Sequence, residues 1–198
     1  MKEVFFGIDK PTWAIIGAIS AVAVPMVYNM VNEIIKASRE RKYVEVQLIF
    51  LLNKFTSGCV EVAWDDGYPP DEQKSGRPTI QHEIPELGLS SVKGEHKFLK
   101  ASLLKELHQI EIKQLQIKQQ LREIDYQDND PDEFSYYDFR RRQYAELGIY
   151  TAALNKKICR NLRLAEENMS KSQSDSCRKS LALMNRNRAY SRITKKIQ

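Results

Sequence analysis

Glycine and cysteine are scarce in this chain, and both shortages exclude classes of fold. The 198 residues include 8 glycines, whereas average usage near 7% would give about 14. This disfavours sandwiches, barrels and Gly-rich nucleotide sites, because all of them need many tight turns. Three cysteines cannot build a disulfide framework, and free thiols fit a reducing compartment.

Motifs that carry chemistry are also missing. The sequence has no P-loop, no nucleophile elbow and no Gly-rich dinucleotide motif. His82 opens a His-Glu pair that imitates a helical zinc motif, but Pro85 breaks the helix and no second histidine follows four residues later. The acids from Asp128 to Asp132 imitate a calcium loop, yet Glu133 stands where such a loop has glycine. We therefore predict a protein that is not an enzyme and binds neither a cofactor nor a metal ion.

Charge is missing from Pro11 to Asn32, and this gap is the strongest signal in the chain. The apolar part, Trp13 to Val31, has 19 residues. As a helix it would extend roughly 28 Å, close to the thickness of the hydrocarbon core of a bilayer. We predict a membrane span over residues 12–31, with aromatic rings near both interfaces and a tolerated proline inside. The residues that define this span are Trp13, Gly17, Ala21, Pro25 and Tyr28.

Three other structures share this hydropathy. A cleaved signal peptide is disfavoured, because the apolar run continues past the A-x-A sequence at Ala21–Ala23. A buried core helix is rarely apolar on all sides for five turns, and an interfacial helix needs a polar face. The small residues Gly17 and Ala21, four apart, also allow two spans to pack closely.

The charges that flank the span predict its orientation. Lys36, Arg39, Arg41 and Lys42 follow it, whereas only Lys2 and Lys10 precede it. By the positive-inside rule, residues 1–11 lie outside the cytoplasm and the C-terminal body lies within it.

The apolar pattern of residues 32–169, the C-terminal body, predicts an all-α fold. We expect a cytoplasmic antiparallel bundle of about three long helices. The first runs from Asn32 to about Trp64, with apolar residues at steps of three or four. The second runs from His96 to about Tyr126 and carries a heptad stripe in which Gln114 is the one polar member. The third runs from Pro131 to about Met169, and the Asp130-Pro131 pair is typical of a capped start. The expected helix–helix interface comprises Leu103, Leu107, Ile110, Ile117, Leu121, Ile124, Leu147, Leu154 and Ile158.

Two segments lack this periodicity. Residues 65–95 are rich in proline and glycine and predict a long irregular loop. Residues 170–198 form a basic tail with a ragged apolar face, in which eight Lys and Arg face one acid, Asp175. Three interpretations stay open for the tail: a solvated end, attraction to anionic lipid headgroups, or binding of nucleic acid. The candidate contacts to an anionic partner are Arg178, Lys179, Arg186, Arg188, Arg192, Lys195 and Lys196.

The segment Arg141 to Arg163, RRQYAELGIYTAALNKKICRNLR, resembles a pattern in single-pass membrane proteins of bacteria and their phages that carries no assigned activity. The resemblance implies a bacterial inner-membrane setting. The triplet Arg140 to Arg142 is expected to pair with neighbouring acids such as Asp138 and Glu146.

A span, a heptad face and no catalytic motif together predict a membrane-anchored, non-enzymatic interaction protein. The partners expected are the lipid bilayer and another protein or a second copy of the chain. An adaptor, a sensor, a regulatory subunit, or a phage-defence or exclusion component has this architecture. The alternative function is a membrane-tethered binder of nucleic acid or anionic lipid that acts through the basic tail.

Overall fold

The computed structural model describes residues 4–5, 8–69, 78–127, 133–165 and 168–197 of the chain. The regular structure of the described part is helical apart from one antiparallel pair of two-residue strands, in which Val4 faces Asp9 and Phe5 faces Ile8. The elements are β1 (Val4–Phe5), β2 (Ile8–Asp9), α1 (Lys10–Trp64), α2 (Ala101–Gln127), α3 (Glu133–Leu162) and α4 (Asn168–Ile197). Two short 3-10 turns, Leu89–Ser91 and His96–Phe98, lie between α1 and α2.

The predicted helical bundle is confirmed, and α3 is its central helix. It packs against α1, α2 and α4. Asn155 bonds Asn53, and Arg140 bonds Asp65, so α3 runs antiparallel to α1.

The other two helices also run antiparallel to α3. Near the start of α2, Glu106 pairs with Lys157 near the end of α3. Later in α2, residues 117–123 line a groove together with residues 139–147 from the earlier part of α3. In α4, Cys177 lies beside Gly148 and Arg188 pairs with Asp138. The helices α1, α2 and α4 therefore point in one direction.

This arrangement explains the long loop after α1. Because α1 and α2 follow each other in the chain and point in the same direction, a tight turn cannot join them. The chain must first return along the bundle before α2 begins. The loop starts at Asp65, directly after α1, and runs back along that helix. Its residue Pro85 lies against Gly58 of α1, and its residue Gly94 lies against Val44 of α1. Residues 78–100 therefore form a strap along the bundle, ordered by contacts rather than by secondary structure.

Apolar periodicity accounts for the core. In α1, the buried residues Val44, Leu48, Leu52, Phe55 and Cys59 follow the predicted spacing. The α2 stripe is buried from its first member to Leu121 and half-buried at Ile124. The strap adds further buried residues, namely Leu87, Leu89, Val92 and Leu99.

Helix ends differ from the prediction at two places. The second helix begins at Ala101 rather than His96, which lies in a 3-10 turn. The third helix ends at Leu162 rather than Met169, because Arg163 adopts a left-handed conformation with φ 57°. Leu164 N–H then bonds the Cys159 carbonyl at 2.9 Å, which completes a Schellman C-cap. The predicted cap at Asp130 and Pro131 lies outside the described residues.

The basic tail requires a larger correction, because it is a fourth long helix. It packs against both α1 and α3. Its buried face comprises Ser170, Gln173, Cys177, Ser180 and Met184. Most of these side chains are small or polar, which explains why hydropathy did not reveal the helix.

Candidate functional site

The N-terminal part of α1 presents apolar side chains that the bundle does not cover. Met26 is 73% exposed, Tyr28 is 66% exposed and Val24 is 65% exposed. By length and composition, α1 is long and apolar enough to cross a membrane. Of the predicted span residues, Ala21, Pro25 and Tyr28 lie exposed on this helix. Trp13 and Gly17 lie within α1, but their exposure to solvent is outside the described part.

The second candidate surface is the outer face of α4. Arg178, Lys179, Arg186 and Arg188 are exposed. Arg178 pairs with Asp175 within α4 at 3.9 Å. Arg188 pairs at 2.5 Å with Asp138 of α3 and so ties the two helices together. The helix extends through Arg192, Lys195 and Lys196, whose side chains lie outside the described part.

A buried ion pair joins α3, the end of α1 and the strap. Arg140 Nη1 donates to Asp65 Oδ2 at 2.8 Å, and both side chains are fully buried. Arg140 also donates to the carbonyl of His82. Arg140 therefore does not pair with Asp138 or Glu146 as predicted, since it bonds Asp65, and Arg141 donates to the carbonyl of Ala63.

Backbone donors complete the environment of the Asp65 carboxylate. The N–H groups of Gly67, Gln81 and His82 donate to it at 3.0, 3.1 and 2.9 Å. Burial by itself would raise the pKa of Asp65. The hydrogen bonds from Arg140, His82 and Gly67 outweigh burial and hold that pKa below its usual value. Asp65 is thus a charged anchor for the first part of the strap.

Two glutamine side chains hold the rest of the strap. Gln114 of α2 donates to the carbonyl of Pro85 at 2.6 Å and accepts from the N–H of Leu87 at 3.3 Å. Gln47 of α1 donates to the carbonyl of Lys93 at 2.8 Å and accepts from its N–H at 3.0 Å. Each amide satisfies one donor and one acceptor of irregular backbone, which would otherwise be left unpaired. The polar member of the α2 stripe therefore has a definite structural role.

A glycine lets three helices meet. A Cβ atom on Gly148 would lie 2.8 Å from Cys177 Sγ and 3.0 Å from Cys59 Cβ. Gly148 therefore marks a close contact between α1, α3 and α4. Burial raises the pKa of Cys59, as does the neighbouring thiol of Cys177. Burial also raises the pKa of Cys177 to about 11, so both thiols are protonated at neutral pH.

A layer of buried amides crosses the bundle near the start of α4. Asn155 of α3 donates to Asn53 of α1 at 2.5 Å. Gln173 of α4 donates to Ser57 at 2.5 Å and to the Asn53 carbonyl at 3.4 Å. Polar pairs in an apolar core favour one register over the others, because a shifted register would leave them unpaired.

Metal-ligating clusters are not found in the described part of the chain. His108 contacts Glu111 one turn away at 3.1 Å, and His82 contributes its backbone to the Asp65 anchor. Sequence reasoning missed this anchor, because Asp65 and Arg140 lie 75 residues apart. No protein family, curated protein or solved structure matches the chain.

Proposed function

We propose that this protein is a membrane-anchored interaction protein without catalytic activity of its own. In this proposal α1 crosses the bilayer, residues 1–11 lie outside the cytoplasm, and the bundle lies within it. The bundle then presents its surfaces to another protein or to a second copy of the chain.

One observation carries the proposal: the exposed apolar segment and the first core helix of the bundle are the same helix. Large apolar side chains from Val24 to Ile35 are exposed, whereas from Val44 onward α1 packs into the core. The exposed apolar positions spread around more than half of the helix circumference, given 3.6 residues per turn. A helix that packs on a water-soluble domain carries polar residues on the side that faces away from the domain. Lipid is the solvent that suits such a surface.

The test of anchoring introduces a charge at two exposed apolar positions. One of them has a predicted contact with lipid and the other does not. Val27→Arg places a charge within the exposed segment of α1, where Val27 is 60% exposed. Ile112→Arg is the matched control on α2, where Ile112 is 53% exposed. We expect wild type and I112R to pellet with carbonate-washed membranes and V27R to be partly released, because a charge within the hydrocarbon region is unfavourable, by up to about 3 kcal/mol at the bilayer centre. Wild-type protein in the supernatant would refute the proposal.

Orientation and partner need separate measurements. Protease added to spheroplasts should leave the bundle intact. Digestion of the bundle would show that the orientation is opposite to the one proposed. A photo-crosslinking residue at Leu115, which is 66% exposed on α2, should give a discrete crosslinked species in native membranes. A protein that remains monomeric and uncrosslinked from Leu115 and from Phe50 of α1 would contradict an interaction role.

A further inference from the structure

The helix α4 has two chemically different faces. Its inner face is buried at Cys177, Ser180 and Met184. Its outer face exposes Lys171, Arg178, Lys179 and Arg186. The apolar packing of α4 thus depends on the opposite side of the helix from these cations.

The basic residues extend along most of the helix. From Lys171 to Lys196 the axis of α4 covers roughly 37 Å, given a rise of 1.5 Å per residue. Asp175 is the one acid in this stretch of sequence. The described exposed cations, from Lys171 to Arg186, extend over roughly 22 Å of this axis, and an elongated set of like charges, such as this row, complements an extended polyanion better than a compact acidic patch.

The register of the bundle fixes the distance of this row from the predicted span. Gln173 bonds the backbone of Asn53, and Ser180 bonds the carbonyl of Ala63 at 2.5 Å. Asn53 lies roughly 32 Å along α1 from Asn32, and Ala63 lies roughly 46 Å from it. The rest of α4 continues in the same direction, away from the span.

Attraction to the headgroups of the same membrane does not suit this geometry. Interactions between exposed charges are largely screened beyond a Debye length, roughly 8 Å at physiological ionic strength. The described cations of α4 lie several Debye lengths along α1 from the end of the predicted span. The row faces the solution instead.

We propose that the outer face of α4 binds the phosphate backbone of nucleic acid, without selecting sequence. Phosphate contacts need only Lys and Arg, and they release the counterions condensed on the polyanion. Base stacking needs aromatic side chains between the cations, and Tyr190 is the one aromatic residue in α4. The position of the row relative to the bilayer rests on the proposed function, but the binding itself does not depend on it.

The test measures binding of a short fluorescein-labelled DNA duplex of arbitrary sequence to the full-length protein in neutral detergent micelles. Fluorescence anisotropy is recorded at rising KCl concentration. The triple variant K171Q/K179Q/R186Q removes three exposed cations of α4. The matched control K42Q/K54Q/K100Q removes three exposed cations from α1 and the strap. Circular dichroism checks that both variants keep their helices.

We expect wild type and the control to bind with an affinity that falls steeply with salt. For the α4 variant, the slope of log K against log salt should shrink by about 2 to 3, since each phosphate contact contributes about 0.9. Equal losses in the two variants, or no binding by wild type, would refute the proposal. Binding to phosphatidylserine vesicles without binding to the duplex would also refute it and assign the row to lipid. Micelles need no bilayer, so these outcomes are independent of the membrane-retention test.

Discussion

The Asp65–Arg140 pair predicts an asymmetry between its two partners. Asp65→Ala would leave the Arg140 guanidinium buried, with the His82 carbonyl as its remaining acceptor. It would also remove the acceptor for the N–H groups of Gly67, Gln81 and His82. Breaking a buried ion pair from one side costs about 3–5 kcal/mol. We therefore expect the free energy of unfolding to fall by about 4 kcal/mol or more.

Arg140→Met should cost less. The Asp65 carboxylate would keep its three backbone donors, which themselves stabilise the charged form. Met also fills much of the space of the Arg140 side chain with apolar atoms. The loss then approaches that of one hydrogen bond to a charged group, about 1.5–3 kcal/mol.

Urea unfolding of the full-length protein in micelles, followed by circular dichroism at 222 nm, measures both values. Lys157→Gln is the control, because its ion pair with Glu106 is partly exposed and should contribute less than about 1 kcal/mol. An R140M loss equal to or larger than the D65A loss would refute the assignment of Asp65 as the anchor. So would a D65A loss no larger than that of K157Q.

Three further predictions concern pH, a helix end and a helix contact. The pKa of Asp65 is lowered on folding, so its contribution to stability is complete above the pKa of the unfolded state, near 3.9, and is lost as pH falls through the pKa of the folded state. In urea unfolding, the free energy of unfolding should therefore fall more steeply with acid for wild type than for D65N. Equal decreases would contradict this. Arg163→Gly should raise the free energy of unfolding by about 0.5–1 kcal/mol, because glycine adopts the left-handed conformation without the steric cost, and a lower urea midpoint would contradict the Schellman cap. Gly148→Ala should destabilise the bundle by about 1–3 kcal/mol through overpacking, and the double variant G148A/C177A should recover part of that loss in the same assay; no recovery would place the clash elsewhere.

The periodic parts of the fold were predictable from the sequence. The spacing of Val44, Leu48 and Phe55 predicted the buried face of α1, and the heptad stripe predicted that of α2. The stripe even included Gln114 at its correct position, although the bonds of this amide to the strap were not foreseen. Local periodicity is sufficient where one face of a helix packs against apolar neighbours.

The remaining features depend on contacts between distant residues or on exceptions to a local rule. The strap has no period, and its order comes from Asp65, Gln47 and Gln114. The end of α3 lacks the usual glycine, because Arg163 takes the left-handed position. In α4, the buried Ser180 hydroxyl and the Gln173 amide N–H donate to backbone carbonyls of α1. A hydropathy pattern does not register burial of this kind.

The continuity of α1 has a mechanical consequence. A helix from Lys10 to Trp64 is a rod roughly 82 Å long, and the strap and α3 are fastened to its last twenty residues. Tilting such a lever by about 10° would swing its free end through roughly 14 Å relative to the other end. If α1 crosses a bilayer as proposed, tilting to match the thickness of that bilayer would therefore shift the bundle mainly sideways, along the membrane surface.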